Sequence, residues 1–414
     1  MGLITNRLTS LVSIKQLWLP ALVGILAGAC NNTSSNTSSI DASKANKFDV
    51  AMILVGRRND SGWNQAHYEA TQYVVEKQPD IQFKYVDQVN PGDRPNLKAS
   101  EVADDLIAKG AKLVIFNSDD FKDDALATAK KHPNVSIIHS SGDYAWKEGK
   151  NFKNQPNLGN VMPQIEYGKM IAGCSAALSS ETGKIGYVGP VINDETRRLA
   201  SASYLGARYC WQNYRKKNPN DLTFKVVWIG FWFNIPGKTL DPSKVTSDFY
   251  NSGFDVVLSG IDTPEVSIQT KKAVEAGKKV KFLHYDIKTG CNLAPELCIG
   301  VPYYNWGPAY LEQITKAKDG KFTGEFISGA PDWKDLNNVD TSAVGFVKGK
   351  ALTPENDKLL TGFITGLGNG SINLYKGPLN YQDGSPFLKE GETATPQQIW
   401  YFGKLLQGIQ GASK

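Results

Sequence analysis

Twice along this chain, apolar runs of strand length alternate with amphipathic stretches at helical spacing. That repeated alternation restricts the fold to parallel α/β architecture. The first series opens with Phe48-Asp-Val-Ala-Met-Ile-Leu-Val55, ends at Gly56 and leads through a polar loop into Trp63–Glu76. There Ala66, Ala70, Tyr73 and Val74 recur at helical spacing. The same reading predicts strand 81–87, helix 95–109, strand 112–116, helix 122–131, strand 135–139 and a helix rich in small residues over Tyr167–Leu178. The pattern restarts at Lys184-Ile-Gly-Tyr-Val-Gly189, predicting helix 195–215, strand 223–229, helix 242–251, strand 254–259, helix 264–277 and strand 279–284. Each series is long enough for its own sheet, so the expected fold is α/β with two Rossmann-like lobes, each carrying a parallel sheet.

An internal echo supports two lobes. Val55-Gly56 leads through Asn59-Asp60 into one helix, and Val188-Gly189 leads through Asn193-Asp194 into another. Two cores must then be filled, and 414 residues at 41% hydrophobic and 10% aromatic suffice. A net charge of +5 without a Lys/Arg run gives no nucleic-acid groove. Neither the cysteine spacing nor the four histidines suit a metal site, and no cofactor is expected.

Ligands of open parallel sheets bind at the carboxyl ends of the strands, and two facing lobes make a cleft from both sets of ends. The first lobe offers Asn59, Asp60, Trp63 and Asn64, then Asn117, Ser118 and Asp119. The second offers Trp232, Phe233 and Asn234, Asp262 and Thr263, Tyr285 and Asp286, and Trp306 after a strand near 299–303. Aromatics interleaved with Asn and Asp suit a flat, nitrogen-rich ring, stacked on indole and bonded at its edge by amides and carboxylates. The loops lack the Gly-rich turn and cations that a phosphate needs. The chain shows no Gly-x-Gly-x-x-Gly after a strand, P-loop, Gly-x-Ser-x-Gly or His-Glu-x-x-His, so no catalytic residues are assigned. Asp119-Asp120 and Asp123-Asp124 could chelate calcium as in a nucleoside hydrolase, but read as a helix N-terminus favoured by the dipole. A ligand-sensing receptor component is the other alternative.

Residues 16–30 form a short apolar run, preceded by Arg7 and Lys15, that ends Leu26-Ala27-Gly28-Ala29-Cys30. The run is too short to span a bilayer and has the grammar of a secretory signal peptide. Its end looks like a bacterial lipobox, in which Cys30 carries the lipid. The Asn/Thr/Ser run that follows is too polar to fold and reads as a tether. The expected layout is leader 1–29, tether 30–46, N-terminal lobe 47–165 with return segments from the second half, and C-terminal lobe plus closing tail 166–414. In an oxidising envelope Cys291 and Cys298 are the preferred pair, with Cys174 and Cys210 left to pair or to remain buried thiols.

Asp60-Ser-Gly-Trp63-Asn64-Gln65-Ala-His-Tyr68-Glu69 resembles the signature Asp-x-Ser-Phe-Asn-Gln-x-x-Tyr-Glu-Gly of the basic membrane protein family of ABC-importer substrate-binding lipoproteins. Gly183-Lys-Ile-Gly-Tyr-Val188, Gly206-Ala207, Val226–Trp232, Gly253–Val257 and Asn305-Trp306-Gly307-Pro308 resemble further stretches of it, from about Phe48 to Phe402. The resemblance implies a type I periplasmic-binding-protein architecture and a purine base or nucleoside as ligand. It also implies a role for the residue at Trp63 in stacking on the purine and for Asn64 at its edge, and an ABC permease with its ATPase as partners. Asn234 stands where many members carry Asp. His284-Tyr-Asp286-Ile-Lys288 keeps the first acid of the usual Gly-x-Asp-x-Asp and replaces the second by Lys, which favours a free base. A Cys30→Ser protein should lose lipid and partition into the aqueous phase on detergent extraction. Unchanged membrane partitioning would remove the anchor.

Overall fold

The computed structural model describes residues 47–414; Cys30 and the leader and tether expected over 1–46 lie outside them. Elements are numbered in chain order. The first series comprises β1 (Phe48–Ile53), α1 (Trp63–Lys77), β2 (Ile81–Val86), α2 (Ala99–Ala108), β3 (Leu113–Phe116), α3 (Lys122–Lys131), β4 (Ser136–His139) and β5 (Leu158–Pro163). The second comprises α4 (Ile165–Ser179), β6 (Lys184–Gly189), α5 (Asp194–Asn213), β7 (Thr223–Trp228), α6 (Pro242–Asn251), β8 (Val256–Ser259), α7 (Glu265–Glu275), β9 (Lys281–Leu283) and β10 (Cys298–Tyr304). Then follow α8 (Gly307–Lys318), β11 (Phe326–Gly329), β12 (Val344–Lys348), α9 (Pro354–Gly368), the hairpin β13 (Leu379–Asn380) and β14 (Pro386–Leu388), α10 (Pro396–Trp400) and β15 (Ile409–Gln410).

The first sheet runs β11-β5-β4-β3-β1-β2, with every pair parallel. The second runs β12-β10-β9-β8-β6-β7-β15, and its pairs are parallel except β10 with β12. Strands covered on both faces must be apolar throughout, and Val50–Val55 and Leu113–Phe116 are buried without alternation. The chain passes from the first sheet to the second after Pro163, returns through Asn305–Trp306, and passes back between Gly329 and Val344. α8 and β11 therefore lie with the first sheet, and α8 packs on α1.

Helix 95–109 starts later than its periodicity suggests, because Asn96 is left-handed (φ 70°) and Lys98 caps α2. Strand β5 carries no clear strand signal, since Leu-Gly-Asn-Val-Met-Pro mixes sheet-poor residues with apolar ones. It is nonetheless wholly buried between β4 and β11.

The small residues of α4 are required by its contact with α5. A Cβ on Gly173 would lie 1.8 Å from Ser203 O, and one on Gly206 would lie 1.9 Å from Met170 O. Cys174 and Cys210 bridge the same two helices, and Cys291 and Cys298 close their short loop. Among the described residues no helix is long and apolar enough to cross a membrane. Gly206→Val should destabilise the protein by about 1–3 kcal/mol or more through overpacking, measured as a lowered urea midpoint with an unchanged slope. A wild-type midpoint would show that the helices can separate without cost.

Candidate ligand-binding cleft

The loop after β1 is organised by one carboxylate. Asp60 accepts hydrogen bonds from the backbone N–H of Gly62 (2.9 Å), Asn64 (3.0 Å) and Gln65 (3.0 Å), the unsatisfied donors of the first turn of α1, and from Asn64 Nδ2 (2.8 Å). Asn64 Oδ1 then accepts from Gly56 N and from Asn117 Nδ2, while Asn117 Oδ1 accepts from Val55 N. This network holds the start of α1 against the ends of β1 and β3. It also aims Trp63, whose Nε1 donates to Asn117 O at 2.6 Å. Behind Trp63 lies an aromatic stack. Trp306 meets it edge-on at 5.3 Å and is itself stacked on His67 (4.3 Å) and Tyr304 (4.8 Å).

Across the cleft the second lobe is in contact. His284 Nε2 lies 2.8 Å from Ser61 O, Trp232 Nε1 donates to Asp120 Oδ2 (3.1 Å), and Lys238 Nζ donates to Pro91 O (3.1 Å). Gly62 is pressed so closely on the opposite backbone that a Cβ there would sit 1.9 Å from Asp262 O. The lobes are closed.

Between them lies a space of ≈ 410 Å³ that includes open solvent. The first lobe lines it with Trp63, Ser118, Asp119 and Ser141. The second lines it with Tyr187, Pro190, Glu195, Thr196, Leu199, Trp232, Gly260, Asp262 and Tyr285. Of the residues expected from sequence, Trp63, Ser118, Asp119, Trp232, Asp262 and Tyr285 meet here. Asp60, Asn64 and Asn117 serve the scaffold beneath Trp63, and Trp306 supports the same indole from behind. Asn59 is exposed and does not line the space. Asn234 faces its own loop, where its Oδ1 accepts from Thr239 Oγ1 (3.0 Å). Asp286 lies beside Tyr285 with φ 74°, fully buried, and neither carboxylate oxygen has a hydrogen-bond partner among the described residues.

Tyr187, Ser141 and Glu195 are not among the residues expected from sequence to line the cleft. The second Asn-Asp loop, at Asn193-Asp194, was the available signal for Glu195, which stands one residue further on. Lys169 was also unforeseen: it is buried in α4, donates to Ser259 O (3.0 Å) and lies 3.1 Å from the centre of the Tyr285 ring.

The electrostatics of the cleft are those of buried acids. Burial pushes the Asp60 carboxyl up to about 6 against four hydrogen bonds that favour the anion. Burial raises Glu195 to about 7, opposed by Arg198 and reinforced by Asp119. Asp262 and Asp286 are raised well above the carboxylate range by burial; each is pushed further by neighbouring acids, and Lys169 opposes the rise at Asp286. Burial holds Lys169 well below the usual lysine range. Such carboxyls can accept from ring N–H groups when ionised, or donate to ring nitrogens when protonated. No cluster of His, Cys, Asp and Glu able to hold a metal occurs among the described residues.

The sequence profile of the family described as ABC transporter substrate-binding protein PnrA-like matches residues 47–361. A purine-binding protein of Brucella abortus is 26% identical over 369 residues, spanning 88% of this chain and 93% of that protein. A Haloferax volcanii protein, provisionally named as an ABC transporter glucose-binding protein, is 25% identical over 307 residues, spanning 74% of this chain and 70% of its own. The crystal structure of an ABC transporter solute-binding protein from Aeropyrum pernix shares the fold at a TM-score of 0.61 and 13% identity, covering 79% of this chain and 92% of that one.

Because the folded-state pKa of Glu195 exceeds the ordinary value of 4.5, the folded protein holds its proton over that interval, and its stability contribution is lost as pH rises towards about 7. Buried neutral histidines act in the opposite direction below their ordinary pKa, so the informative quantity is a difference. Glu195→Gln should gain Tm relative to wild type as pH rises from about 5 to 8. A constant Tm difference across that range would mean that Glu195 is solvated.

Proposed function

Since the chain belongs to the PnrA-like family of ABC transporter substrate-binding proteins, we propose that its ligand is a purine base or purine nucleoside, delivered to a membrane permease driven by an ATPase. The observation that carries this reading is the space between the closed lobes in which Trp63, Trp232 and Tyr285 meet Asp262 and Glu195. A purine offers two π faces and an edge bearing both N–H donors and nitrogen acceptors. The aromatic side chains take the faces, and carboxyls poised between their two protonation states take the edge. The Brucella relative named as purine-binding supports the same class.

Capture proceeds by closure. The lobes turn about the crossing segments after Pro163, at Asn305–Trp306 and between Gly329 and Val344. A ligand touching both lobes favours the closed form by its differential affinity for it. Closure brings Gly62 onto the Asp262 backbone and joins Ser61 to His284. The closed complex then docks on the permease, and a lipid on Cys30 would keep the carrier at the membrane outside the cytoplasm. The role is carriage: the ligand leaves chemically unchanged.

Calorimetry with purines and their nucleosides should give measurable binding and a change in tryptophan fluorescence. Trp63→Phe should retain most of the affinity, whereas Trp63→Ala should lose about 1–3 kcal/mol, the range for base–aromatic stacking. Tight binding of glucose with no purine binding would leave the carrier reading standing and overturn the ligand class.

A further inference from the structure

Of the chain's four histidines, three bond within the first lobe: His67 to Tyr310, His132 to Asp104 and His139 to Ser118 O. His284 is different. It follows β9 in the second lobe, is 1% exposed, and sets its Nε2 2.8 Å from Ser61 O across the cleft. A carbonyl oxygen can only accept, so Nε2 carries the ring proton. Nδ1 is then the acceptor and faces Ser267 Oγ of α7 at 3.5 Å. The ring has a fitted seat. A Cβ on Gly290 would lie 1.9 Å from His284 Cδ2, so the loop after β9 folds over the ring edge only without a side chain there.

What His284 grips is the loop that aims Trp63. Ser61 has a left-handed backbone (φ 62°), and its N–H donates to Gln65 Oε1 (3.2 Å). It stands between Asp60, whose carboxylate holds the first turn of α1, and Gly62, which is pressed on Asp262 O. Ser61 O is therefore fixed relative to α1 and to the Trp63 indole. Tyr285, the residue after His284, lines the ligand space. In the stretch that resembles Gly-x-Asp-x-Asp, His284 stands at the glycine, which has no side chain to make this bond.

Charged groups on the elements around the ring are Asp60 on the gripped loop, Asp262 and Glu265 before and on α7, Asp286 and Lys288 after the ring, and Lys169 on α4. Burial pushes the imidazole down to about 4; Lys169 pushes the same way, and the bond to Ser61 opposes both. Parting the lobes removes Ser61 and lets water reach the ring, which returns it towards its ordinary 6.5. Below that pH, closing must expel a proton from His284. The raised acids of the cleft act in the opposite sense, so the histidine is read as a difference between variants that share them.

We propose that His284 is a positioning residue that latches closure: the neutral ring holds the Trp63 loop against the second lobe, and protonation of the ring weakens ligand capture. The proposal rests on the reading of this chain as a carrier that closes on a purine.

The test is calorimetry with hypoxanthine, adenine, guanine and their nucleosides on wild type, His284→Ala and His284→Gln, with folding checked by circular dichroism melts. At about pH 8 the Ala variant should bind about fivefold or more weakly than wild type, the equivalent of one hydrogen bond. The Gln variant, whose amide can donate to Ser61 O and does not titrate, should recover most of that loss. Between about pH 8 and pH 5, wild-type affinity should fall about tenfold or more relative to the Gln variant, a change that lost packing does not produce. Wild-type affinity in the Ala variant, a Gln variant as weak as Ala at about pH 8, or a wild-type-to-Gln ratio constant over that range would each overturn the latch while the purine reading stands. Failure of every base and nucleoside to bind wild type would overturn both.

Discussion

The interlobe cleft concentrates carboxyl groups where water is largely excluded, and most features of the site answer to that constraint. Asp60, Glu195, Asp262 and Asp286 are all raised, with burial the leading cause in each. Among the described residues, Lys169 and Arg198 offer buried positive charge close by, and Lys169 is itself held below its ordinary range. Several acids with so little compensation would favour an open, hydrated cleft over a closed, empty one. A ligand that brings hydrogen-bond donors would supply what is missing, so ligand affinity and lobe closure become one free-energy term.

Closure is useful only if each wall moves as a rigid piece. In the first lobe the Asp60–Asn64–Asn117 network satisfies the first turn of α1 and joins it to two strand ends, while Trp306, His67 and Tyr304 brace Trp63 from behind. In the second lobe α5 carries Glu195, Thr196 and Leu199 into the site. Its fixed seat comes from backbone contact with α4 at Gly173 and Gly206 and from the Cys174–Cys210 bridge. Positioning by packed helices and buried hydrogen bonds holds such groups more tightly than loops could.

The tail adds a third component. Anchored on the β7 edge and lying over the start of α5, it brings Trp400 and Tyr401 to Trp146, Phe326 and Asp143 of the first lobe. The segment expected to close the second lobe pairs with its β7 edge. Its aromatic pair also reaches the other lobe, where it lines a space beside the interlobe cleft.

Hydrophobic periodicity by itself determined that this is a parallel α/β protein of two lobes, because apolar strand-length runs alternating with amphipathic helices admit little else. Strand-end chemistry likewise determined that Trp63, Trp232, Asp262 and Tyr285 belong to one cleft. Only the tertiary structure decided which polar residues point into it. Asn64 and Asn117 have the right chemistry for a ligand edge, but nearby backbone groups claim their amides first, and no local pattern announces that competition. Glu195 and Tyr187 reach the site through the stacking of β6 and α5, and β5 becomes a strand through the neighbours that cover it. Tyr401 meets Asp143 across 258 residues of sequence, a contact set by where the sheets bring distant segments together.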